Sequence, residues 1–208
     1  MNNTDLKFKT VTAKDIDIIR TTALCAKINK EKAADILKDA YEKNDNDTYI
    51  KLSYALFNLC ANTSNDALES KMKVEAALFA FEEILEDKPD YWLAWLYKIR
   101  ILMMLPNNNK DESVIIDELR DMIQIQENSD YMPYFIAPYF LLAELYMNAS
   151  EIPKALDIIE QAEKLQKCKI SNFASTIHSI FKSFIKKAAV MHYQDLMQRA
   201  EHLEHAFF

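Results

Sequence analysis

The residues best suited to chemistry lie near the C-terminus, in MHYQDLMQRAEHLEHAFF, where His202 and His205 are three apart and Glu201 and Glu204 flank them. On a helix such side chains share a face and could clip a divalent cation. Two imidazoles do not close a structural site, and a fraying terminus positions ligands poorly, so no metal is expected. A nucleophilic cysteine needs a base, and Cys168 with His178 is the only pair close in sequence. No nucleophile signature surrounds it. Glu82, Glu83, Glu86 and Asp87 read as a solvated helix face rather than an acid and a base. Tyr91, Trp92, Trp95 and Tyr97 have the composition of a cation cage, but their helical spacing beside Pro89 points to interhelix packing. The expectation is a protein with no catalytic residues and no cofactor.

Composition narrows the field further. The 208 residues contain no glycine. Phosphate-cradling loops, dinucleotide fingerprints and nucleophile elbows need backbone positions that glycine fills, so nucleotide sites of those kinds are excluded. Tight hairpins also favour glycine, which speaks against a sheet. Ala, Leu, Lys, Glu and Met are abundant, and helix is their natural state. A net charge of −7 opposes nucleic-acid binding. The charge is uneven: residues 1–163 carry 18 basic and 29 acidic side chains, and 164–208 carry 7 and 3. The basic tail could steer toward an acidic partner or toward the chain's own body. No apolar run approaches the ~20 residues that span a bilayer, and MNNTDLKFKT lacks a signal-peptide core. Cys25, Cys60 and Cys168 fit reduced thiols. The expectation is an intracellular, cytoplasmic protein.

The elements that position these residues show an internal repeat. Its clearest copy runs from Ile136 through YFLLAELYMNASEIPKALDIIEQAEKLQK. Small residues at Ala143 and Ala155 let two antiparallel helices approach, and Tyr139 and Tyr146 fill the wedge beside them. Ser150, with Glu151 and Pro153 after it, is a candidate cap for the second helix. A step of 44 residues back sets Pro133 on Pro89, Tyr139 on Trp95 and Ala143 on Ile99. A further step reaches Ala55. Asp66 with Glu69, and Asn109 with Glu112, have capping-box spacing. Ala33, Leu37 and Ala40 suggest a second helix in a weaker N-terminal copy, after a first near 13–27. Pro138 would interrupt a helix starting at Pro133, which places the start nearer Ile136 or makes a kink.

Tyr139, Leu142, Ala143, Tyr146, Ala155, Ile159 and Ala162 stand at the spacings of the tetratricopeptide repeat, and the chain resembles that family. The resemblance implies an all-α fold: a right-handed superhelical array of antiparallel helix pairs in a single domain. The units are 14–47, 48–91, 92–135 and 136–169, with a C-terminal cap over 170–208. The 44-residue step also falls in the HEAT and armadillo range, which keeps another helical solenoid as the alternative.

In the family the first helix of each unit lines a concave groove. The resemblance therefore implies a protein or peptide partner held by Leu52 and Leu56 in the second unit, by Leu96, Arg100 and Met103 in the third, and by Phe140, Glu144 and Met147 in the fourth. These positions are mainly apolar and suit a hydrophobic or amphipathic segment. The Lys, Asn and Arg clamp of members that capture chaperone C-termini is missing. The function implied is a non-catalytic scaffold or adaptor. A chaperone for a secreted or membrane-associated client is the alternative. A homo-oligomer through the C-terminal helices is a further expectation, as is the opposite arrangement, in which Phe173, Ile177, Phe181 and Phe184 fill the groove as a capping core.

Overall fold

The computed structural model describes residues 6–44, 46–62, 66–105, 112–170 and 174–208. Among them are ten α-helices and no strand: α1 (Ala13–Ile28), α2 (Lys30–Lys43), α3 (Thr48–Cys60), α4 (Ala67–Asp87), α5 (Trp92–Met104), α6 (Glu112–Glu127), α7 (Ala137–Asn148), α8 (Ile152–Glu163), α9 (Ala174–Val190) and α10 (Gln194–Phe207). A 3-10 turn, Pro133–Ile136, precedes α7. None of these helices is long and apolar enough to cross a membrane.

Short polar residues start the early helices by satisfying their free amides. Thr12 and Asp15 form a complete capping box on α1. Asp47 accepts from the amides of Tyr49 and Ile50 at the start of α3. Asp66 accepts from Leu68 and Glu69 at the start of α4, so the cap read from the sequence is present on that side. Asn109 and Phe173 lie outside the described residues.

Pro138 sits in the first turn of α7, where its missing amide hydrogen costs nothing, and the 3-10 turn takes up the residues before it. It therefore makes no kink. Ser150 departs from the sequence reading, since it does not cap α8. It closes α7 instead, with φ of 61°. The Glu151 amide donates to the Tyr146 carbonyl at 2.8 Å and the Ser150 amide to the Met147 carbonyl at 3.1 Å, which is a Schellman motif. His192, also at φ 61°, ends α9 in the same way, through Tyr193 to Ala188 and His192 to Ala189. Glycine ordinarily takes this position, and a chain without glycine uses serine and histidine there.

The chain divides into two compact units, Lys9–Leu105 and Pro106–Phe208 with Met1–Phe8. In the first, α3 packs against α1, α2 and α4, and α4 packs against α5. The core holds Leu52, Phe81, Ile84, Trp92, Leu93 and Leu96, all fully enclosed. Tyr97 stacks on Phe81 at 5.6 Å. The Trp95 indole donates to the Pro89 carbonyl at 2.8 Å. Tyr91 donates its hydroxyl to the buried carboxylate of Asp15, which also accepts from the Thr12 amide. The aromatic cluster is thus interhelix packing, as its spacing suggests. Lys51 is buried too, 3.1 Å from Asp87 and 4.0 Å from Glu83. Tyr41 donates to the same Glu83 and stacks on Tyr54 at 4.3 Å.

In the second unit α7 packs against α6, α8 and α9, and α10 packs against α8 and α9. Phe8 joins this unit, its amide on the Ser129 hydroxyl at 2.8 Å and its ring 6.3 Å from Phe135. The core is aromatic, with Phe140, Phe181, Phe184 and Phe207 enclosed. Each such ring contributes roughly 1.5–3 kcal/mol on leaving water. Ala143 and Ala155 have no exposed surface, as their role in the close contact of α7 with α8 requires. Segment 92–135 is shared between the units, α5 in the first and α6 in the second.

Candidate protein-binding surface

The eight residues expected to line a groove fall into two groups. Leu52, Leu96, Phe140 and Met147 have no exposed surface, and Leu56 has almost none. Arg100, Met103 and Glu144 are half-buried. For the residues of α3 and α7 the physical reason is packing: these are the central helices of their units, each touched by three neighbouring helices. A helix covered on three sides keeps no apolar face for a partner. In the second unit the cover is α9, whose Phe181 lies 4.0 Å from Phe140 and whose Lys187 pairs with Glu144 at 2.9 Å. Phe181, Phe184 and Ile177 are all buried there, so the segment after 173 covers α7 with its own side chains.

Of the residues that could have done chemistry, Glu204 and His178 are engaged with each other. Glu204 is buried and turned to Lys182 at 2.9 Å and to the His178 ring at 2.6 Å. Burial works to raise the Glu204 carboxyl pKa, but the hydrogen bonds from Lys182 and His178 outweigh it and hold the group below the usual carboxylate range. His178 also lies 4.8 Å from the Phe208 ring. It therefore serves this network rather than Cys168. Among the described residues no three of His, Cys, Asp and Glu gather closely enough to hold a metal ion. Burial raises the Cys60 thiol pKa, with Lys27 opposing it, the reverse of an activated nucleophile.

An open apolar surface lies elsewhere, at the junction of α1 and α2. Leu24, Ile28 and Ile36 are 56–73% exposed, unusual for side chains of their size. With Cys25, Asn29, Lys32 and Ala33 they line a cleft of about 320 Å³ in the first unit. Helix α2 has no buried residue at all, so it lies on the unit without being enclosed. Lys32 is the one charged side chain of that lining. Sequence reasoning missed Leu24, Ile28 and Ile36. The available signal was the 24–28 spacing on α1, and Ile36 beside rather than on the Ala33–Leu37–Ala40 face.

Two other depressions are polar. One, of about 380 Å³ in the second unit, is lined by Arg120, Tyr146, Lys154 and Asp157 among others. Its cations already serve Tyr146: Arg120 donates to the hydroxyl at 2.6 Å, and Lys154 lies 5.5 Å from the ring centre. The other, in the first unit, brings Lys14, Lys43 and Lys88 together with Asp47. Lys14 stands on the Tyr49 ring at 3.5 Å, and Lys43 pairs with Asp39 at 2.7 Å.

Compared with known protein families, curated proteins and solved structures, the chain matches none.

Proposed function

We propose that this chain is a non-catalytic, tetratricopeptide-like helical-repeat protein of the cytoplasm, and that it works by holding an amphipathic helix of a partner protein. The observation that carries the reading is the α1–α2 cleft, where three large aliphatic side chains face solvent beside Lys32 and Asn29. Contiguous exposed apolar side chains rimmed by polar ones mark interaction sites. Supporting the repeat reading, α1 touches α3, α7 touches α9 and α8 touches α10, each a next neighbour in the chain. Three unpaired cysteines agree with a reducing compartment.

The cleft suits a helix with an apolar stripe and an acidic flank, since Lys32 in its lining would meet a carboxylate there. Fluorescence anisotropy with three labelled helical peptides tests this: one with an apolar stripe and acidic flanks, one with the same stripe and basic flanks, and one with the stripe scrambled. The acidic-flanked peptide should bind best. Ile28→Lys should weaken it by about tenfold or more, the scale of one anchor residue. Equal binding of all three, or indifference to Ile28→Lys, would refute the proposal.

A further inference from the structure

Phe8 and Lys9 are neighbours in sequence that belong to different compact units. Phe8 is 7% exposed, in a stretch over residues 6–12 that forms no helix and whose Lys7, Lys9 and Thr10 are open to solvent. A single buried ring in an exposed, extended segment is an anchor. Its amide donates to the Ser129 hydroxyl at 2.8 Å, and its ring meets that of Phe135 edge-on at 6.3 Å. The seat is fixed by bonds that do not involve Phe8. The Ser129 hydroxyl donates to the Ile125 carbonyl at 2.7 Å, and the buried Gln126 side chain donates to the Phe135 carbonyl at 3.1 Å. One residue on, Lys9 donates its amide to the Asp90 carbonyl at 3.1 Å and pairs its ammonium with the Asp90 carboxylate at 2.6 Å. The backbone is thus tied on both sides of one peptide bond, to one unit before it and to the other after it.

We infer that Phe8 is a strap through which the unit Pro106–Phe208 stabilises the unit Lys9–Leu105. Both ends of Lys9–Leu105 continue into the other unit. While Phe8 is seated, Lys9–Leu105 unfolds as a closed loop, and closing a long flexible loop costs the unfolded chain entropy. The cost falls on the unfolded state, so the folded unit gains stability through the chain alone. With Phe8 released, one end is free and the penalty disappears. The gain cannot exceed the free energy with which Phe8 is seated, because an unfolding unit otherwise draws the ring out.

Urea unfolding of the full chain, followed by two probes, tests the strap. The two tryptophans, Trp92 and Trp95, both stand on α5 in Lys9–Leu105. Their fluorescence therefore follows that unit, while circular dichroism follows both. Phe8→Ala should lower the fluorescence midpoint by about 0.5 M urea or more, although Phe8 belongs to the other unit. Ser129→Ala removes the hydroxyl that holds the Phe8 amide and leaves the ring, so it should lower the same midpoint by less. In the Phe8→Ala background, Ser129→Ala should move the fluorescence midpoint no further, since no strap remains to weaken.

A fluorescence midpoint indifferent to Phe8→Ala, with only the dichroism transition falling, makes Phe8 a packing residue of its own unit and overturns the inference. Additive effects of the two substitutions on the fluorescence midpoint overturn it as well, because Ser129 would then act on Lys9–Leu105 by a route other than Phe8. Should Phe8→Ala leave Pro106–Phe208 unfolded, the milder Ser129→Ala carries the test, and a fluorescence midpoint equal to that of the wild type sinks the strap.

Discussion

The Phe140 ring in α7 lies 4.0 Å from the Phe181 ring in α9, centroid to centroid, and 5.2 Å from that of Phe184. These three enclosed side chains join the α7–α8 hairpin to the terminal helices. Phe140→Ala should cost about 3–5 kcal/mol, the transfer of a ring plus the cavity it leaves. Phe140→Lys should unfold the second unit, since an unpaired charge there has no route to water. Urea denaturation followed by circular dichroism measures both. A Phe140→Lys variant of native helicity and midpoint would show this position to be free surface.

Ser150 and His192 hold left-handed backbone at the ends of α7 and α9, where a Cβ is disfavoured by about 1 kcal/mol. Ser150→Gly and His192→Gly should each raise stability by roughly 0.5–1 kcal/mol, less whatever glycine adds to the entropy of the unfolded chain. Thermal melts of the single and double variants check it. Ser150→Ala, which keeps the Cβ, should give no gain.

Glu204 gives the second unit an acid-side pH dependence. Its folded carboxyl pKa lies below the ordinary value of 4.5, so the native state holds a carboxylate that the unfolded chain protonates first. The stabilisation is therefore complete above the unfolded value and is lost as pH falls through the folded one. Unfolding midpoints taken from pH 7 down into the acid range should fall more steeply for the wild type than for Glu204→Gln. Parallel curves would remove Glu204 from the account.

Lys51 lies buried in α3 between Glu83 and Asp87. Lys51→Met keeps the volume but leaves two carboxylates without their cation. Asp87 can turn to water, which limits the loss to about 1–2 kcal/mol. Tyr41→Phe removes a second donor to the same Glu83. Because the two share a partner, a double-mutant cycle should show coupling of about 0.5 kcal/mol or more. Strict additivity would mean that Glu83 does not link them.

The all-helical state was legible in the sequence because its causes are local. No glycine stands ready for tight turns, Asp66 lies beside the helix it caps, and Pro138 must stand in a first turn. The burial of Ala143 and Ala155 was legible for a similar reason, since small residues stand where two adjacent helices come close. Ser150 shows the limit of such reasoning. Its type suits a helix start, but the residues after it complete a Schellman closure of the helix before.

Tertiary structure alone decided which apolar faces are covered. Leu52, Leu96 and Phe140 have the pattern of a groove wall, and Leu24, Ile28 and Ile36 have the pattern of a modest core, yet the first set is enclosed and the second is open. Helical periodicity marks an apolar face without naming what lies against it. That depends on contacts such as α9 on α7 and α1 on α3, between helices that are not consecutive in the chain. Burial is a property of the neighbours as much as of the residue, so the sequence could specify the faces while only the packing of the helices chose between core and surface.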